Sequence, residues 1–148
     1  FKLDSPHIEN YKLIAIHSNL SIVSLVYQLN KYCFTEFVRS NNDLQVDNKF
    51  KIQHFNWINE KKGISFELFE NKFSVEDKDS QLIDSLFSLS ISKELSLIES
   101  HKEVDFFIKQ NCFFSTSNLI EKMSKIQNIS LIYRVPNSEL LENFNFDL

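Results

Sequence analysis

Glycine is almost missing from this chain. Gly63 is the only one among 148 residues, where average usage would supply about ten. Loops that cradle phosphates need several glycines, because only a backbone without Cβ approaches the ligand closely enough. A P-loop, a dinucleotide fingerprint and a G-x-S-x-G nucleophile elbow are all absent. Common nucleotide and hydrolase sites are thereby excluded, whereas sites built wholly from side chains are not. Arginine is nearly as scarce: Arg39 and Arg134 alone offer bidentate phosphate contacts. With a net charge of −4, the chain lacks the clustered cations whose counterion release drives nucleic-acid binding, so no nucleic-acid partner is expected.

Long apolar runs are lacking too. The densest stretch, Leu20 to Leu29, is interrupted by Ser21, Ser24 and Gln28 and falls well short of the roughly 20 residues a membrane helix needs. No membrane partner is expected, and no leader segment is visible after Phe1. Cys33 and Cys112 form neither a C-x-x-C pair nor a disulfide-dense pattern, which points to a reducing, cytoplasmic setting.

What the chain has is apolar bulk. It is 43% hydrophobic and contains 15 Phe, material for a core in one domain spanning residues 1–148, which at this length buries about two-thirds of its unfolded surface. Tyr11 to His17 holds the unbroken run Leu13-Ile14-Ala15-Ile16, expected of a central strand covered on both faces. Ser18 or Asn19 is placed to cap a helix over residues 18–33. Its inner stripe is Ile22, Val23, Leu25, Val26 and Leu29, extended by Tyr32 and Cys33.

Lys49 to Ile58 reads as a strand whose parity changes between Ile52 and Phe55, predicting a β-bulge near Gln53-His54. Asn59 to Gly63 reads as a hairpin turn, with Gly63 suited to a left-handed residue. Ile64, Phe66 and Leu68 return in strict alternation. Ser74 to Ser80 is polar and predicts an exposed loop. Phe87, Leu89 and Ile91 alternate again, as do Leu95 with Leu97 and Val104 with Phe106 and Ile108. Ser115 to Asn118 offers several N-caps, and Asn118 with Glu121 has capping-box spacing, for a second helix carrying Leu119, Ile120, Met123 and Ile126. Ile129, Leu131, Tyr133 and Val135 form a last strand stopped by Pro136. The tail, Glu139 to Leu148, is apolar enough to dock on the domain. This order predicts an α+β fold, a mainly antiparallel sheet with two helices on one face. A ferredoxin-like core with added strands is the first topology it points to.

The segment Leu97 to Ile108 carries the clearest likeness to other proteins. Ile98, Val104 and Asp105 match the signature of the bacterial IPExxxVDY family, and Phe106 stands for its Tyr. Glu99 and Ser100 replace its Pro and Glu. Leu13 to Ile16 with Ser18, then Leu29-Asn30 and Asp43-Leu44, resemble the family's opening strand, its helix ending and its Asp-Leu pair. The chain therefore resembles this family from about Tyr11 onward, a resemblance that implies no established activity.

Candidate chemistry is sparse. Asp105 sits in an apolar strand, and a bare buried carboxylate is costly. It reads as solvated or paired with Lys102 or Lys109, or else as a ligand-binding group. His17 closes the first strand just before a helix, a position where α/β folds often bind ligands; a structural histidine is the plainer reading. Trp57 and the surplus of Phe serve either core packing or an exposed aromatic patch. His7, His17, His54 and His101 are too dispersed for a metal site, and no cofactor is expected. Cys33 lies on the inner helix stripe and reads as buried and inert.

Two functions fit. The favoured one is a non-catalytic interaction or accessory domain with a protein partner, self-association included. The alternative is an enzyme or small-molecule binder with a pocket near Asp105 and His17. A pocket enclosing Asp105 with a histidine favours the alternative; an exposed apolar patch favours the interaction domain.

Overall fold

The run Leu13–Ile16 lies in β1 (Lys12–Ser18), in a computed structural model that describes residues 12–46, 50–76, 92–111 and 115–136. Helix α1 (Ile22–Tyr32) follows. Strands β2 (Val38–Arg39), β3 (Leu44–Val46), β4 (Phe50–Ile52), β5 (His54–Asn59) and β6 (Ile64–Glu70) come next, then β7 (Lys72–Glu76), β8 (Ser92–Ser96) and β9 (Phe106–Gln110). Helix α2 (Ser117–Ser124) leads into β10 (Ile129–Arg134).

The main sheet has six strands in the order β10-β1-β9-β6-β5-β2, and its neighbours pair antiparallel. Because β9 runs antiparallel to both β1 and β6, these two are parallel, with α1 in the connection between them. By the same reasoning β9 and β10 are parallel around β1, with α2 between them. Two interleaved split β-α-β units make a ferredoxin-like core, extended beyond β6 by β5 and β2. The fold is α+β, as the order of elements predicts.

The two described helices cover one face. Ile22, Leu25, Val26 and Leu29 of α1 and Leu119 and Met123 of α2 pack with Ile14, Ile16, Phe66, Leu68, Phe106 and Ile108. The opposite face, Leu13, Ala15, Phe69 and Phe107, is closed by Leu44 and Ile52 from the β3–β4 hairpin and by Leu97, Ile98 and Val104. Cover on both sides explains why β1 is apolar at both parities.

Several sequence expectations are corrected. Helix α1 is capped by neither Ser18 nor Asn19: Ser21 is the N-cap, its side chain accepting the Ser24 N–H, and the helix begins at Ile22. Val23 is 60% exposed and Tyr32 is also exposed, whereas Leu25 and Cys33 are buried. The change of parity at Gln53 is no bulge, because the chain changes sheets there. Ile52 packs on the far face, and Phe55 and Trp57 pack under the helices. Likewise Val104 does not share a face with Phe106 and Ile108, since the backbone reverses its alternation at Asp105. Residues 74–76 belong to β7 and not to a loop. Thr116 is the N-cap of α2, placing Asn118 and Glu121 inside the helix and not in a capping box. In the last strand Leu131 is exposed, and the register with β1 shifts between His17 and Ser18. The turn before β6 is as expected: Gly63 has φ 67°, and Asn59 accepts the Lys62 N–H. The alternating residues Phe87 to Ile91, Cys112 and the tail from Glu139 lie outside the described residues.

Candidate functional site

Asp105 stands just ahead of β9, where the chain enters the sheet beside β1. Its backbone N–H donates to the Ile16 carbonyl at 3.2 Å. One carboxylate oxygen accepts the Ser18 backbone N–H at 2.8 Å, and the other lies 3.2 Å from Lys72 Nζ. Its ion-pair partner is thus Lys72, at the start of β7, and neither Lys102 nor Lys109. Ser18 is buried and tied further: its hydroxyl donates to the Asn128 carbonyl at 2.6 Å and accepts the Leu20 N–H at 3.2 Å. The serine that could have capped α1 instead joins β1 to the turn before β10, which leaves the cap to Ser21.

A cleft of about 320 Å³ opens at this point, with Ser18, Ser21, Glu70, Lys72, Asp105 and Phe106 among its lining residues. Burial pushes the Glu70 carboxyl above its usual range. A carboxyl biased toward its neutral form beside an engaged carboxylate is an arrangement that can serve acid chemistry. His17 is absent from the cleft's lining. Its ring stacks on Tyr133 at 5.7 Å, with Nε2 3.5 Å from the Tyr133 hydroxyl. Among the described residues, no histidine lines this cleft with Asp105.

Behind the cleft sits a residue that sequence reasoning missed. Asn71, between β6 and β7, is fully buried. Its Oδ1 accepts the Ile98 N–H at 2.8 Å, and its Nδ2 donates to the carbonyls of His101 (2.8 Å) and Val104 (2.9 Å). Its backbone donates to the Asp105 carbonyl and accepts the Leu97 N–H. One residue thus ties together the segment 97–105.

Trp57 lies in the core. It stacks on Phe66 at 5.5 Å and meets Phe37 edge-on at 5.9 Å. Its indole N–H finds no partner among the described residues. Cys33 is buried under α1, and burial pushes its thiol pKa up, so it is a poor nucleophile. No group of three metal-ligating side chains occurs among the described residues.

The exposed aromatic surface is elsewhere, on the outer side of the helices. Val23, Tyr27, Tyr32 and Phe34 all project to solvent. Phe34 follows α1 with φ 58° and is 76% exposed, although bulky residues rarely adopt that left-handed backbone. Asn30 forces the conformation. Its Oδ1 accepts from the Thr35 hydroxyl at 2.7 Å and the Phe37 N–H at 2.9 Å, and its Nδ2 donates to the Phe37 carbonyl at 3.0 Å. Thr35 and Phe37 are drawn inward and buried, so Phe34 turns outward. Lys31 Nζ sits over the rings of Tyr27 (5.6 Å) and Tyr32 (5.3 Å), and Lys122 Nζ sits 5.5 Å over Phe34.

No helix among the described residues is long and apolar enough to cross a membrane. No family model, curated protein or solved structure matches this chain.

Proposed function

We propose that this chain is a cytoplasmic, non-catalytic interaction domain, a divergent member of the IPExxxVDY family, that binds a protein partner through the outer face of α1 and α2. Phe34 carries the reading. A large apolar ring held in solvent on a strained backbone opposes stability twice over, and such outliers cluster at binding sites. Tyr27 and Tyr32, which flank Lys31, extend the patch, and tyrosines and phenylalanines are the residue types enriched where partners dock. Asn30 and Asp105, both among the residues that carry the family resemblance, hold the turns at either end of α1. The free, buried thiol of Cys33 suits a reducing compartment.

The test is an affinity pull-down from the native cell, comparing the unaltered chain with Phe34→Asn by mass spectrometry. Asn tolerates the left-handed region, so the variant stays folded. A partner retained by the unaltered chain and lost by the variant is the expected result. Identical sets of proteins on both baits would refute this surface.

The alternative, a small-molecule or catalytic site, rests on Glu70 beside Asp105 in the cleft. It is the weaker reading, because both Asp105 oxygens already have partners within the fold.

A further inference from the structure

The aromatic patch borders a groove between the two helices. It encloses about 480 Å³, with Gln28 and Tyr32 from α1 facing Lys122, Lys125 and Ile126. Charge is distributed here against the trend of the chain. Across Ile22–Phe37 and residues 117–125 the charged side chains are Lys31, Glu36, Glu121, Lys122 and Lys125, three cations against two anions on a protein of net charge −4. Lys31 and Lys122 lie on aromatic rings, so cations and apolar surface alternate over one face.

Resting on the interaction reading above, we infer that this groove receives an acidic amphipathic helix of a partner protein. Leu or Phe side chains at helical spacing would contact Tyr27, Tyr32, Phe34 and the groove beside Ile126. Glu or Asp on the flanks of that helix would meet Lys31 and Lys122, whose positive field also steers its approach, while Lys125 stands 3.9 Å from Glu121 of its own helix. A second copy of this chain fits worse, since a two-fold pairing of this face sets its lysines against one another. Single-stranded nucleic acid fits worse as well. Backbone-tracking platforms need dense cations, whereas the arginines lie on β2 and β10, away from this face.

The experiment uses the full chain and a designed, fluorescently labelled helical peptide of about 15 residues with a Leu/Phe stripe and Glu flanks. Anisotropy titrations should show saturable binding that weakens as salt rises. Lys31→Glu with Lys122→Glu, and separately Phe34→Asn, should each weaken binding by about tenfold or more while the melting temperature holds. The same peptide with Lys in place of Glu should not bind. Absence of saturable binding, equal binding of the two peptides, or tighter uptake of oligouridine, anionic vesicles or a second copy by this face each overturns the inference. If a pull-down partner depends on Phe34 yet the acidic peptide does not compete with it, the inference fails alone and the interaction reading stands. If no partner depends on Phe34, both fall.

Discussion

The carboxylate of Asp105 accepts the backbone N–H of Ser18 while it pairs with Lys72, so one side chain joins β1, β7 and the lead into β9. Asp105→Asn keeps an oxygen for the Ser18 N–H and loses the ion pair, which is partly exposed. Its expected cost is about 1 kcal/mol or less. Asp105→Ala also strands the buried Ser18 N–H, and should cost about 1–3 kcal/mol. Denaturant melts of the two variants and of Lys72→Met separate the contributions. If alanine proves no worse than asparagine, the Ser18 bond contributes nothing to stability.

Asn71 should be among the least replaceable polar residues. Asn71→Ala leaves the Ile98 N–H and the His101 and Val104 carbonyls without their partner, a predicted loss of about 3 kcal/mol or more. Asn71→Asp, nearly the same in shape, turns two donor contacts into repulsions and should fare no better. Chemical denaturation gives the number directly, and faster hydrogen exchange confined to residues 97–105 would locate it.

Two apolar residues of α1 should behave oppositely. Leu29 is fully buried, and Leu29→Ala is expected to cost about 2–5 kcal/mol. Val23 faces solvent, so Val23→Ala should stay within about 0.5 kcal/mol. Equal effects in urea melts would mean that the helix is rotated from the orientation described.

Two groups give the stability opposite pH dependences. Burial raises the Glu70 pKa in the folded state, so its contribution is present below the ordinary carboxylate value of 4.5 and is lost as pH rises through the folded value. Glu70→Gln should therefore raise the melting temperature at pH 7 and leave it unchanged near pH 4. Burial lowers the His54 pKa, opposed by Glu67 and Asp43. Its contribution is present above the ordinary histidine value of 6.5 and declines as pH falls toward the folded value. His54→Gln should flatten that decline in melts taken below pH 6.5. An unchanged pH profile in both variants would contradict these assignments.

The parts of this fold that a sequence reading reaches are those set by local chemistry. Leu13–Ile16, the 3.6-residue stripe of Leu25, Val26 and Leu29, and the left-handed Gly63 each announce their environment within a few residues. Where several neighbours share the same capability, the sequence does not choose among them. Ser18, Asn19 and Ser21 can all cap a helix, and only the Asp105 and Asn128 contacts of Ser18 settle the matter. Lys72 reaches Asp105 because β6 and β9 are neighbours, an adjacency that no residue spacing encodes. Asn71 looks like any polar turn residue until the chain folds over it. Phe34 counts as one more core phenylalanine unless the hydrogen bonds of Asn30 are known.

Strand β1 is paired on one side with β9 and on the other with β10. During synthesis it emerges first among the described strands, and both of its neighbours follow some ninety or more residues later. Until then Leu13 to Ile16 leave the ribosome as an apolar strand with two open edges, the kind of segment that recruits wrong partners. Closing such distant pairings slows folding. The central strand must wait for nearly the whole chain, and in the crowded cell that interval is when holding chaperones would matter most to this protein.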